Sequence, residues 1–238
     1  MYELWLIYDC RSFYFEKMGI KERKIKEKEN RKKEILETAE KLFSGKKGLE
    51  ATMDDLAAKT ELGKGTLYLY FPNKKTILTA LTEKGVGILR KRLLRAVDET
   101  KTGVEQLMDN GDTFVNFLKE KPFYAMLILK YEKTIITNPE TGAKNLLIEP
   151  VLDVLYEILK KGKNDGTIRE DIGTKELVTI LWSQMLGVLN TLTDRKEILS
   201  IYGVDSEWII RGHYRVIMNG LAAGKGKKFR VWSSEFGV

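Results

Sequence analysis

The sequence predicts an all-α chain: a small N-terminal three-helix unit built on a helix-turn-helix, followed by a larger helical body. Apolar residues recur at helical spacing through nearly the whole chain, and no stretch shows a convincing strand alternation. Residues 52–75, TMDDLAAKTELGKGTLYLYFPNKK, read as a short helix, a tight turn and a second short helix ending in an aromatic segment.

Ile35, Leu36, Ala39, Leu42 and Phe43 follow one another at spacings of one, three, three and one, which lays a single apolar stripe on a helix from about Lys26 to Lys46. Gly45 and Gly48 end it. Thr52 opens the next helix with Asp55 three residues on, the spacing of a capping box, and Met53, Leu56 and Ala57 face inward. That helix stops near Thr60. After the turn, Lys64 to Phe71 makes about two helical turns, in which Leu67 and Phe71 share one face and can pack against Leu56 and Phe43. Pro72 and Asn73 close the unit.

From Thr76 onward, long helical patterns are expected at about 76–99, 104–120, 122–137, 145–162, 174–193 and 206–222. Pro122 suits the first turn of a helix, and Pro150 kinks or restarts its own. Asn138-Pro139 and Asn164-Asp165-Gly166 are loop signals. The expected organisation is an extension over 1–20, a helix-turn-helix domain over 21–75, a helical body over 76–223 and a basic tail over 224–238. Gly85 and Gly87 weaken the helix that starts near Thr76 and mark it as a hinge.

A helix-turn-helix leaves its second helix exposed along one side, where it can enter a major groove of duplex DNA. The net charge of +7 fits such a partner through its distribution. Residues 21–34 hold eight Lys/Arg against four Glu, and residues 225–238 hold four against one, so these two segments account for the whole excess. The first adjoins the helix-turn-helix, where it can touch phosphates or lie as a solvated helix face with Glu/Lys pairs.

Other classes are poorly served by this composition. A single cysteine, Cys10, excludes an intrachain disulfide, and with one histidine there is no Cys/His cluster of metal-ligand spacing. Paired-carboxylate, glycine-rich phosphate-loop and Ser/His or Cys/His signatures are absent, so no enzyme activity, metal or cofactor is expected. No run approaches the roughly 18 consecutive apolar residues of a membrane span, and a reducing cytoplasm is the expected location. The opening MYELWLIYDCRSFYFEK is apolar, but its acids and its lack of a basic start or small-residue cleavage site argue against a signal peptide. Met18, ahead of the lysine-rich run, is an alternative start.

Leu49, Thr52, Leu56 and Ala57, then Gly-Lys-Gly-Thr-Leu-Tyr-Leu-Tyr-Phe from Gly63 to Phe71, then Asn73-Lys74-Lys75, resemble the N-terminal domain of the TetR family of bacterial repressors over about residues 30–80. The resemblance implies a homodimeric, ligand-responsive regulator, a repressor of a palindromic operator, with a sequence-diverse helical body that binds a small apolar or amphipathic molecule. It implies a dimer through the helices near 174–193 and 206–222. The stretch Gly166-Thr167-Ile168-Arg169 to Asp171 is similar to the family's usual lead-in to those helices.

By the same resemblance, Lys64, Gly65, Thr66 and Tyr68 reach base edges or nearby phosphates, while Thr52, Tyr70 and Lys74 contact phosphates and set register. Two positions depart from the family pattern. Gly63 stands where a Ser or Thr often caps the reading helix, and with Gly65 beyond it the first turn should be loosely held. Tyr70 stands where many relatives carry histidine.

In the body, Phe123, Tyr124, Met126, Leu127, Tyr131, Trp182 and Met185 are large, adaptable residues suited to an apolar pocket. Phe123, Tyr124, Leu127, Tyr131, Trp182 and Met185 are the ligand-contact candidates, although residues at such spacing commonly form simple core. Trp208 and Tyr214 are expected in or near the dimer interface, and His213 as a structural or interface histidine. The alternative reading keeps the DNA-binding unit and makes the body a protein-interaction or constitutive module without an inducer.

Overall fold

The structure is a computed structural model and describes residues 3–137, 144–194, 196–203 and 205–223. Among them the architecture is α-helical, as expected, with one small hairpin. The loop signal at Asn138-Pro139 and the basic tail over 224–238 lie outside the described residues. The chain divides into two compact units, Met1–Glu83 and Lys84–Val238.

The first unit holds α1 (Glu3–Phe43), a 3-10 turn (Gly48–Glu50), α2 (Met53–Thr60), α3 (Lys64–Tyr70) and the first half of α4 (Lys74–Arg95). Helix α1 begins well before the expected Lys26, because the intervening sequence is rich in helix-forming Lys, Arg and Glu and contains no proline. Ile35, Ala39, Phe43, Leu56, Leu67 and Phe71 are all buried, so the apolar stripe of α1 and the inward faces of α2 and α3 make one core.

Helix α2 starts on the expected capping box. The Asp55 N–H donates to Thr52 Oγ1 at 3.1 Å, and the Thr52 N–H donates to the Asp55 carboxylate at 2.8 Å. It ends where Glu61 takes φ 53°, a left-handed conformation that lets the Leu62 N–H reach the Ala57 carbonyl at 3.2 Å. This reversal produces the tight turn into α3. Asn73 caps α4 in turn, accepting the Thr76 N–H at 2.9 Å.

In the second unit α4 continues into α5 (Gly103–Glu120), α6 (Pro122–Tyr131), β1 (Ile135–Thr137), β2 (Lys144–Leu146), α7 (Glu149–Asn164), α8 (Thr174–Asp194), α9 (Lys196–Ile201) and α10 (Ser206–Leu221). Strands β1 and β2 pair antiparallel with Ile135 opposite Leu146. This corrects two expected helices. The 122–137 pattern ends at Tyr131, and the β-branched run Thr134-Ile135-Ile136-Thr137 continues into strand β1. The 145–162 pattern starts only at Glu149, because Pro150 lacks an N–H and is accommodated in a first turn rather than an interior. The short α9 has no counterpart among the expected helices.

The body's core runs through Leu89, Phe117, Ile148, Leu159 and Ile168, all essentially inaccessible to solvent. Its tightest point is the crossing of α5 and α7. A Cβ added to Gly103 would lie 2.1 Å from the Gly162 Cα, so the two backbones touch. The following loop reinforces the crossing: Asp165 accepts the Gly103 N–H at 2.7 Å, and Thr167 Oγ1 accepts the Val104 N–H at 3.2 Å. The stretch from Gly166 to Asp171 then ties down α10. The Arg169 N–H donates to the Leu221 carbonyl at 2.9 Å, and the guanidinium reaches the Gly220 carbonyl at 3.1 Å while pairing with Asp171.

The two glycines expected to weaken α4 have different surroundings. A Cβ on Gly85 would lie 2.8 Å from the Tyr124 ring, so that glycine is a packing position, whereas Gly87 has nothing within 4 Å. Opposite outcomes are expected in urea unfolding. Gly87→Ala raises stability by up to about 1 kcal/mol through helix propensity, and Gly85→Ala lowers it by about 1–3 kcal/mol through overpacking.

Candidate functional site

Helix α3 has an asymmetric surface. Leu67 is buried, while Lys64, Gly65, Thr66, Tyr68 and Leu69 face solvent. The four expected base-edge residues therefore lie together on an exposed surface, and they are joined by one that sequence reasoning passed over: Leu69 is 81% exposed. A signal for it existed. Leu67 and Phe71 claim the core face, and Leu69, two residues from each, is turned away at 100° per residue. An exposed leucine on such a helix is suited to contact with a thymine methyl group.

The charges around α3 are paired. Lys64 Nζ lies 2.7 Å from Asp54 of α2, both exposed, and that hydrogen bond raises the lysine pKa. Lys47 Nζ lies 2.8 Å from Asp55. The Asp55 carboxyl is held far below the usual carboxylate range, first by Lys47 and then by hydrogen bonds from Thr52. Thr52 is thus a capping residue in the free chain, its hydroxyl also donating to Asp55 at 2.9 Å. Lys74 is engaged as well: its ammonium donates to the Leu49 carbonyl and sits 5.4 Å over the Phe43 ring. Tyr70 is half-buried and borders a shallow groove shared with Lys24, Lys28 and Arg31 and with Glu27 and Glu34 of α1, and Arg31 pairs with Glu34 at 2.7 Å. Lys24 and Lys28 bring positive charge to this groove.

Gly63 is the N-cap of α3 and provides no side-chain hydrogen bond, as its lack of a side chain requires.

The body contains a separate apolar cavity with about 100 Å³ of free space, within an envelope of about 710 Å³ that includes space open to solvent. Its wall includes Phe114, Trp182, Met185, Tyr214, Ile217 and Met218. Of the expected ligand contacts, Trp182 and Met185 line it. Phe123, Tyr124, Leu127 and Tyr131 do not; they lie on α6, where Tyr124 packs against Gly85 and Leu127 is fully buried.

Tyr214 and His213, expected at an interface or in a structural role, also line the cavity. The Tyr214 hydroxyl donates to the Gly111 carbonyl at 3.1 Å, and a Cβ on Gly111 would lie 2.4 Å from the Tyr214 ring. Glycine at 111 therefore makes room for this tyrosine. Trp182 Nε1 donates to the buried Glu132 carboxylate at 2.6 Å, and its ring meets Phe114 edge-on at 6.1 Å. Asn110 was missed: it is only 6% exposed, lines the cavity, and its Nδ2 has no hydrogen-bond partner. Among the described residues no group of His, Cys, Asp and Glu is arranged to hold a metal ion, and no helix is long and apolar enough to cross a membrane.

The weak N-cap of α3 yields a measurable expectation. Gly65→Ala, which has nothing within 4 Å to obstruct its methyl group, should slow amide exchange over residues 64–70 by up to about five-fold, corresponding to about 1 kcal/mol of helix propensity. Unchanged exchange would show that α3 is already held by packing alone.

Residues 35–81 match the family model for bacterial regulatory proteins of the tetR family. The chain is 23% identical over 159 residues to the fatty acid metabolism regulator protein of Bacillus subtilis, covering 63% of this chain and 77% of that one. It is 31% identical over 101 residues to an uncharacterised HTH-type transcriptional regulator of Haemophilus influenzae, covering 40% of this chain and 54% of that one. The fold is shared with Thermus thermophilus FadR, a TetR-family transcriptional repressor solved in complex with lauroyl-CoA. The TM-score is 0.57 at 19% identity, with 79% of this chain and 94% of that one covered.

Proposed function

We propose that this chain, whose residues 35–81 and all-α fold are those of the tetR family of bacterial regulatory proteins, is a ligand-responsive repressor. It binds a palindromic operator as a homodimer and is released by a small apolar or amphipathic molecule. The observation that supports DNA reading best is the exposed face of α3, where Lys64, Gly65, Thr66, Tyr68 and Leu69 are all accessible while Leu67 anchors the helix.

On binding, Lys64 exchanges Asp54 for a guanine edge or a phosphate. An exposed ion pair is weak, so the exchange costs little. Gly65 permits close approach, Thr66 and Tyr68 supply hydroxyls, and Leu69 meets a thymine methyl. Thr52, Tyr70 and Lys74 hold the backbone. Lys24, Lys28 and Arg31 add sequence-independent attraction along α1. The dimer presents two α3 helices to successive major grooves, about 34 Å apart.

The dimer surface is assigned to α8 and α10. Ile180, Trp208 and Val216 are exposed apolar residues there. Trp208, Gly212, Val216 and Gly220 recur every four residues along α10, and Gly212 and Gly220 have nothing within 4 Å of a would-be Cβ. Such a stripe allows a second helix to approach closely.

The cavity supplies the effector site. Helix α4 contributes Leu93 to its wall and carries Lys74 in its first turn, so one continuous helix has residues in both regions. A molecule that binds the cavity more tightly in the form unable to span the operator shifts the population toward that form. The relatives described as regulators of fatty acid metabolism are consistent with an apolar effector.

Duplex-binding anisotropy with the DNA upstream of the gene tests the first half. Lys64→Ala with Tyr68→Ala should abolish preference for the palindrome. Lys24→Ala with Lys28→Ala should keep that preference while flattening log K against log[salt] by about 0.9 for each phosphate that is no longer neutralised. If the first variant binds like the parent, α3 is not the reading helix.

Val216→Glu places a charge in the assigned dimer surface. It should give a monomer by sedimentation equilibrium with its helical content unchanged; an intact dimer would move the interface elsewhere.

A further inference from the structure

Resting on the reading of the cavity as the effector site, we infer that the molecule it takes is uncharged and carries a carbonyl, as in an ester, amide or ketone, which accepts a hydrogen bond from Asn110. Among the residues that line the cavity there is no Lys, Arg, Asp or Glu. Asn110 is the exception in an otherwise hydrocarbon and aromatic wall, and its Nδ2 makes no hydrogen bond although the residue is only 6% exposed. A buried donor left without an acceptor is destabilising. The cavity on which it borders is where an acceptor can be supplied.

Two other polar groups of the wall are committed elsewhere. Tyr214 donates to the Gly111 carbonyl, and Trp182 donates to Glu132. His213 is half-buried with its ring edge-on to Tyr214 at 5.9 Å, and burial lowers its pKa, which keeps the imidazole neutral at pH 7. Asn110 differs from them in holding a buried donor without an acceptor.

The electrostatics argue against an anion. Glu132 stands behind Trp182, and the Tyr214 phenol is pushed up by burial and by the nearby Asp112 charge. A carboxylate or phosphate inside would lose its hydration and find no Lys or Arg on the wall. A cation fares no better at the wall itself, since no carboxylate lines the cavity and Glu132 is already hydrogen-bonded.

The free space of about 100 Å³ accommodates a small carbonyl-bearing portion. Longer apolar parts must follow the solvent-open side of the envelope or displace Met185 and Met218, whose unbranched side chains repack readily.

The test is calorimetric titration of the full-length protein at pH 7.5 with four probes of one chain length: methyl octanoate, octanoate, octyltrimethylammonium and 1-octanol. Methyl octanoate should bind at least ten-fold more tightly than either charged probe and more tightly than the alcohol. Asn110→Leu, close in volume, should weaken methyl octanoate binding by about ten-fold and narrow its advantage over the alcohol. Comparable binding of octanoate or of the ammonium, or an ester affinity unaffected by Asn110→Leu with native helicity, overturns the inference. The comparison among probes on the parent protein holds even if that variant fails to fold. No binding of any probe overturns it as well. If methyl octanoate binds as expected but leaves operator affinity unchanged, the effector role of the cavity fails while the binding chemistry stands.

Discussion

The body is organised by one steric constraint, the contact of the α5 and α7 backbones at Gly103 and Gly162. A side chain at Gly103 would push the helices apart, since its Cβ would lie 2.1 Å from the opposite backbone, and one at Gly162 would collide with the Ile168 side chain, its Cβ 2.4 Å away. With that crossing set, the buried face of α5 runs through Leu107, Asn110, Gly111 and Phe114, at the three- and four-residue spacings of a helix stripe. The cavity lies along this stripe. Gly111 continues the logic of Gly103, since its missing side chain admits the Tyr214 ring from α10. Small residues on α5 thus decide where other elements come close, and the larger ones between them form the wall.

In the DNA-reading unit the governing competition is electrostatic. Lys64 and Lys47 are paired with Asp54 and Asp55, and Thr52 is occupied in capping α2. Ion pairs of this exposed kind are weak. The consequence is a locally balanced charge on the α2–α3 surface. Beside it, Lys24 and Lys28 of α1 share a groove with Tyr70, while Arg31 there is paired with Glu34.

The helix-turn-helix was legible because its determinants are local. Thr52 and Asp55 are three residues apart, Leu67 and Phe71 four, and the absence of a capping side chain at Gly63 is a property of that residue itself. The same local rules placed α5, α8 and α10 within a few residues. They failed at Tyr131, where an apolar helical pattern gave way to β-branched residues, and in starting a helix near 145, although the restart expected at Pro150 is where α7 begins. In the body, large apolar residues on α6 had the same appearance as those on α8. Only Trp182 and Met185 reached the cavity, since α6 uses Tyr124 and Leu127 for core packing.

The sequence by itself determined the all-α character, the two-helix reading device and its exposed and buried faces, because helical periodicity and capping depend on residues within a turn or two of each other. The tertiary structure alone decided the cavity. Tyr214 and Gly111 are 103 residues apart, and Trp182 is 50 from Glu132. Gly85 has the local character of a weak point in a helix, yet in the folded chain Tyr124 packs on it. Which side chain fills a space, and which is left bordering one, depends on backbones brought together from distant parts of the chain.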